Sequence, residues 1–349
     1  MKAFYKKHIL TFKKPSGTSR GVLTQKETWF IILHKNKKWG IGECGILRSL
    51  SVDDVPNYEE KLKWVCDNIH LGLPILLEQL IAYPSIQFGL EQAFLSVASD
   101  DPFLLFRNDF SLEEEGIPIN GLIWMGEESF MHQQIQQKIK EGFRCIKLKI
   151  GALDFNTEIA LLKSIRKIYG KDEIELRVDA NGAFTTDALE KLSMLSRFDL
   201  HSIEQPIQQG NWSQMKTLCK TTPLPIALDE ELIGVFTVTK KEELLQTMQP
   251  QYIILKPSLV GGFKGCEEWM VLAEKYNIGW WITSALESNI GLNAIAQWTY
   301  GLQNPMPQGL GTGGLYTNNF ESPLVVKKGK IYYRKNKNWN PNLIEELCT

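Results

Sequence analysis

Apolar and polar positions along the chain follow two rhythms, and the change between them falls near Pro118. Before it, Trp29-Phe30-Ile31-Ile32-Leu33-His34 is rich in β-branched and aromatic residues, which predicts a strand. Lys35-Asn36-Lys37-Lys38 reads as a solvated turn leading into Trp39-Gly40-Ile41-Gly42-Glu43-Cys44, its hairpin partner. Upstream, Pro15-Ser16-Gly17-Thr18-Ser19-Arg20-Gly21 has the composition of a mobile loop, because Gly and Ser bend readily and pack little. Two helices follow, from about Tyr58 to Asn68 and from about Ser85 to Ser99. In the second, Phe88, Leu90, Ala93, Phe94 and Val97 recur with a helical period.

From about Pro118, short apolar strands alternate with amphipathic helical stretches, the pattern of a parallel sheet built from β-α units. The predicted strands are Pro118–Leu122, Cys145–Ile150, Glu175–Asp179, Ser202–Glu204, Ile226–Asp229, Tyr252–Lys256, Gly279–Thr283 and Gln308–Leu310. Eight strands in about 190 residues is the count of a closed barrel. The alternative, a doubly wound open sheet, lacks a Gly-rich dinucleotide loop after the first strand. The fold class is therefore α/β, a (β/α) barrel behind an α+β N-terminal portion.

Composition narrows the function classes. With 349 residues, 43% hydrophobic and 23% charged, and a net charge of −1, the chain gives no electrostatic reason to expect nucleic acid or an acidic membrane as partner. Six cysteines lie scattered without a C-x-x-C pair, so neither a zinc site nor a disulfide framework is indicated. The N-terminus lacks a signal-peptide apolar run, and no stretch approaches the length of a membrane span. A cytoplasmic enzyme is expected, and homo-oligomerisation is left open.

The candidate chemistry sits at the strand ends. Lys149, Asp179, Glu204, Asp229 and Lys256 are separated by 30, 25, 25 and 27 positions, about one β-α unit each. Strand C-termini converge on one mouth of a barrel. Three carboxylates there would suit a hard divalent cation such as Mg²⁺, with Mn²⁺ an alternative. Lys147 and Lys149 are two apart on a strand and project to the same face, where two ammonium groups should lower each other's proton affinity. Arg177 should also face inward, to bind a substrate carboxylate or to pair with neighbouring acids. Asn181 is either a substrate-side group or a turn former. Ser284 and Gly311 are placed to line the pocket. Ser19 and Arg20 could reach it from a lid formed by residues 16–21, or be a loop tip only. Trp124, Trp280 and Trp281 could be core.

Lys147-Leu148-Lys149, Asp179-Ala180-Asn181-Gly182, Ile203-Glu204-Gln205-Pro206, Leu228-Asp229-Glu230-Glu231, Leu255-Lys256-Pro257-Ser258 and Ser284-Ala285-Leu286-Glu287-Ser288 together resemble the enolase superfamily. Within it they resemble the muconate lactonizing enzyme subgroup, and the o-succinylbenzoate synthases most. The resemblance implies a modified TIM barrel at residues 118–321 and a capping domain at 1–117, to which 322–349 return. It implies that Asp179, Glu204 and Asp229 hold Mg²⁺, that Lys149 is the acid/base supported by Lys147, and that Lys256 faces it across a small carboxylate substrate. Gln205 and Glu231 depart from the usual residues beside the ligands.

The implied reaction is syn-dehydration of 2-succinyl-6-hydroxy-2,4-cyclohexadiene-1-carboxylate in menaquinone biosynthesis. Two opposed lysines equally suit an N-acylamino acid racemase or dipeptide epimerase, although residues 308–315 carry no acid to hold a free amine. Muconate cycloisomerase and a non-catalytic carboxylate-binding barrel are the remaining alternatives.

Overall fold

The computed structural model describes every residue except Ser19, Arg20, Glu113, Met125, Ala152 and Thr349, and omits the side chains of Ser16, Thr18 and Glu128. Strands β1 (Lys2–Thr18), β2 (Gly21–Lys35) and β3 (Lys38–Cys44) form an antiparallel sheet in that order. The tight turn joining β2 and β3 puts Asn36 and Lys37 at φ of 49° and 67°, the left-handed pair that matches the twist of a hairpin.

The stretch expected as a loop is largely sheet. Ser16, Gly17 and Thr18 pair with Leu23, Val22 and Gly21 after a register shift beyond Thr11. Backbone hydrogen bonding along a long hairpin orders a segment whose side chains give little packing. Ser19 and Arg20, expected near a substrate, lie outside the described residues.

Phe30 to Leu33 read as an unbroken apolar run because both faces of the sheet are covered. Trp29, Ile31 and Leu33 pack against α1 (Tyr58–Asp67), α2 (Leu73–Gln79) and α3 (Pro84–Ala98). Phe30 and Ile32 on the other face meet Ile290 and the C-terminal residues Trp339, Leu343 and Ile344. Helix α3 lies against β3 so closely that a Cβ on Gly42 would stand 1.8 Å from the Gly89 carbonyl oxygen.

After β4 (Gly116–Pro118) come seven parallel strands: β5 (Gly121–Ile123), β6 (Cys145–Lys149), β7 (Glu175–Asp179), β8 (Ser202–Glu204), β9 (Ile226–Leu228), β10 (Tyr252–Leu255) and β11 (Gly279–Ile282). They neighbour one another in sequence order. Two expectations change here. Pro118 belongs to β4, which pairs with a C-terminal hairpin of β12 (Leu324–Lys327) and β13 (Lys330–Tyr333). The predicted eighth strand is reduced to two parallel bridges, Gln308 to Ile119 and Gly309 to Thr283. Pro307 has no N–H for a longer ladder and Gly309 no side chain to pack. Those bridges still close the ring: Asn120 N–H donates to Gln308 O at 2.9 Å, and Gly309 N–H to Ile282 O at 2.8 Å.

The N-terminal unit grips the barrel through two buried carboxylates. Glu43, at the end of β3, accepts from Ser288 N (2.9 Å), Ser288 Oγ (2.5 Å) and Gly291 N (2.9 Å), at the start of the helix Asn289–Gly301. Glu91 on α3 accepts from Phe263 N (2.5 Å) and Lys264 N (3.0 Å), in the first turn of the helix Gly262–Lys275. Each carboxyl group meets orphan N–H groups and the positive end of a helix dipole. Helix N-termini follow strand C-termini, so both grips lie on the mouth side of the barrel. Among the described residues, no helix is long and apolar enough to cross a membrane.

Because the contact at Gly42 is with backbone, which cannot swing aside, Gly42→Ala should destabilise the protein by about 2–3 kcal/mol. Chemical denaturation measures this directly, and an unchanged midpoint would contradict the packing described.

Candidate active site at the barrel mouth

Parallel register aligns the charged positions. Lys149, Asp179 and Glu204 are direct neighbours across β6, β7 and β8, and Asp229 and Lys256 immediately follow β9 and β10. Around the ring, three carboxylates therefore stand between Lys149 on one side and Lys256 on the other. All three acids are buried.

Their partners are the lysines. Lys147 Nζ lies 2.9 Å from Asp179 Oδ2 and 2.5 Å from Glu204 Oε2. Lys149 Nζ donates to Asp179 Oδ2 at 3.1 Å and to Asn181 Oδ1 at 2.7 Å. Lys256 Nζ donates to Asp229 Oδ2. With these ammonium groups on the carboxylates, no three His, Cys, Asp or Glu side chains among the described residues form a ready-made coordination shell. Glu204 Oε1 is buried and takes no donor from the protein.

Burial alone would raise the proton affinity of every acid here, and the neighbours decide the outcome. Burial and then the negative charge of Asp179 push Glu204 well above the usual carboxylate range. For Asp179 the burial penalty is overcome by Lys147 and Lys149, which hold it well below that range. Asp229 is lowered likewise, with Lys256 overcoming burial. The expectation that crowding weakens the lysines' hold on their protons is reversed for Lys147. Burial works against its charge, but Asp179 and Glu204 more than offset this and raise its pKa. A lysine flanked by two carboxylates behaves as a fixed cation.

Around this centre, Asn181 forms the turn expected of it and also contacts the site. It sits in a left-handed turn (φ 43°), its Oδ1 accepts from Lys149, and its Nδ2 donates to Glu230 Oε1 at 3.2 Å. Arg177, one inward position below Asp179, is paired: its Nε donates to Glu175 at 2.7 Å, and its guanidinium stacks 4.3 Å from the Trp281 ring. Ser284 Oγ is hydrogen-bonded to Thr312 Oγ1 at 2.7 Å. Gly311 is exposed beside Ile119 and Asn120. Trp280 and Trp281 are buried, and Trp124 is partly buried.

Gln205 was noted in the sequence only as a departure, yet it braces the site. Held at φ 39°, it accepts on Oε1 from Asp229 N (3.2 Å) and Glu231 N (3.3 Å), and its Nε2 donates to Glu231 Oε2 (3.1 Å) and Ile207 O (3.0 Å). An amide supplies the donor that a second carboxylate beside Glu231 would lack. The joint departure at Gln205 and Glu231 was the only signal of this pairing.

The Enolase C-terminal domain-like family model matches residues 131–336. The chain is 46% identical to the o-succinylbenzoate synthase of Desulfotalea psychrophila, over 95% of this chain and 98% of that one. The crystal structure of MenC from the same organism superposes with a TM-score of 0.85 at 44% identity, covering 95% and 99% of the two chains. The chain belongs to the enolase superfamily, in its o-succinylbenzoate synthase branch. The superfamily fold extends further: muconate lactonizing enzyme from Pseudomonas fluorescens, complexed with muconolactone, matches at a TM-score of 0.81 and 20% identity, over 99% and 98% of the chains. Superfamily membership implies use of a divalent metal.

Replacing Gln205 by Leu would leave the buried N–H groups of Asp229 and Glu231 and the Glu231 carboxylate short of partners. A loss of about 2 kcal/mol or more in unfolding free energy is expected. An unaltered denaturation curve would show that Gln205 braces nothing.

Proposed function

We propose that this protein is an o-succinylbenzoate synthase acting with Mg²⁺. It dehydrates 2-succinyl-6-hydroxy-2,4-cyclohexadiene-1-carboxylate to 2-succinylbenzoate, a step of menaquinone biosynthesis, in the cytoplasm. The observation that carries the reading is the order of charges around the mouth: Lys149, Asp179, Glu204, Asp229, Lys256, on consecutive barrel strands. It is joined by near full-length similarity to an enzyme of that name.

Asp179, Glu204 and Asp229 are assigned to the metal. The donor set suits it: three carboxylates offer hard oxygens, Glu204 Oε1 lacks a donor, and Glu204 is crowded by negative charge that a cation would relieve. A bound Mg²⁺ would act as a Lewis acid toward charge developing on the substrate carboxylate. Lys149, seated between Asp179 and Asn181, removes the ring proton beside that carboxylate. It then returns a proton to the departing hydroxyl on the same face, releasing water and leaving an aromatic ring. Lys256, on the far side of the carboxylates, stabilises the anion from the opposite face. Lys147 stays protonated as a fixed positive charge. Residues 1–117, joined by the C-terminal Trp339, Leu343 and Ile344, form the cap that keeps water from the intermediate. Ser284 and Gly311 are assigned to the pocket wall. Residues 308–315 present no acid to a substrate ammonium, which weighs against a dipeptide substrate.

Turnover of the cyclohexadiene carboxylate with Mg²⁺ tests this. Dehydration should be fast, stop on chelation and fall by about 10⁴-fold or more in Lys149→Ala, as expected when a general acid/base is removed. Folded wild type that leaves this compound untouched but exchanges the α-proton of N-acylamino acids would move the function to the racemase branch.

A further inference from the structure

The seam between the N-terminal sheet and the barrel contains a cation that no interaction described so far uses. Lys26, on β2, is 4% exposed, and its Nζ has no hydrogen-bond partner. Among the described residues, the only other buried cationic nitrogen in that position is Arg177 Nη2, whose guanidinium is already engaged through Nε and Nη1. An unpaired ammonium in the interior is costly, so a residue of this kind calls for an anion.

Its surroundings place it at the mouth. Lys26 shares a sheet face with Thr28, which donates to Glu43 Oε1 at 2.8 Å, and it pairs across the sheet with Leu10. Leu10 packs with Phe12, Tyr316, Leu286 and Leu315 over the loops that follow the last barrel strand and its bridge. The charges Lys26 feels are those of Glu43 and Glu287, which act against a burial penalty that lowers its pKa. Glu287 lies three residues after Ser284. Its Oε1 accepts at 2.5 Å from Ser258 Oγ, two residues after Lys256, while its Oε2 is buried without a partner. Lys26 therefore lies on the side of the sheet that faces Glu287 and the loops after the last barrel strand.

Neither acid hydrogen-bonds to it. Glu43 is committed to four donors from Thr28, Ser288 and Gly291. Glu287 is pushed up to about 7 by burial, so it is only partly ionised at neutral pH. The other ammonium groups of the mouth, on Lys147, Lys149 and Lys256, already face carboxylates.

We propose that Lys26 is a specificity residue that binds the second carboxylate of a dicarboxylate substrate. This deepens the reading above and rests on it: one carboxylate is held at the Asp179–Glu204–Asp229 end, and the succinyl carboxylate meets Lys26. A monocarboxylate of the same shape leaves the Lys26 ammonium buried and unpaired, so the site discriminates against it.

The test measures binding of 2-succinylbenzoate and its succinyl carboxamide, by calorimetry with Mg²⁺ present, to wild type, Lys26→Met and Lys26→Arg. Wild type should prefer the acid to the amide. Lys26→Met should bind the acid roughly 10- to 100-fold more weakly and the amide unchanged, and Lys26→Arg should restore part of the difference. Removal of a buried unpaired charge should leave the melting temperature of Lys26→Met equal to or above wild type, which separates lost binding from lost folding. Equal weakening of acid and amide, or no weakening of either, overturns the assignment. Wild type that binds neither compound and does not turn over the cyclohexadiene precursor overturns the assignment and the function together, and this is seen without any variant.

Discussion

Burying charge at the end of a barrel is tolerable only when the charges balance, and that constraint organises this molecule. Asp179, Glu204 and Asp229 bring three buried carboxyl groups to one mouth, and each touches an ammonium group of Lys147, Lys149 or Lys256. The proposed cation would relieve the crowding of negative charge at Glu204, and the two carboxylates of the proposed substrate would meet that cation and Lys26. The same logic accounts for Lys147, which the acids hold as a cation.

The N-terminal unit answers a second requirement, that this mouth be covered at a fixed height. Glu43 and Glu91 bond to the first turns of two barrel helices, using backbone N–H groups that a helix leaves free in any case. Gly42 lets α3 approach β3 closely enough to set Glu91 and Glu43 on the same side. Lys26 enters the seam from β2, adjoining that grip. Packing in the sheet, capping of the barrel helices and the electrostatics above the site are thus one continuous structure.

How much of this was legible beforehand depended on range. Lys149, Asp179, Glu204, Asp229 and Lys256 stood out because a β-α unit has a characteristic length, so a charge recurring at that interval marks strand ends. The hairpin at Asn36–Lys37 and helix α3 were visible from local pattern. What failed depended on contacts distant in sequence. Gln308–Leu310 looked like an eighth strand but forms single bridges, limited by Pro307 and Gly309. Residues 15–21 looked loop-like, yet a long hairpin supplies partners for Ser16, Gly17 and Thr18 through the backbone. The grips of Glu43 and Glu91 and the bracing of Asp229 and Glu231 by Gln205 join residues from 24 to 248 positions apart, and no window along the chain contains them. The direction of the Lys147 shift was misjudged because its neighbouring ammonium was counted without its two acids.

A crystal structure of the protein with Mg²⁺ and 2-succinylbenzoate is the most direct test of the central claim, that the three mouth carboxylates hold a cation between two lysines that face the substrate. The account predicts one oxygen each from Asp179, Glu204 and Asp229 on the metal, with Lys149 and Lys256 on opposite faces of the product ring. A metal bound elsewhere, or a product seated with both lysines on one face, would contradict it.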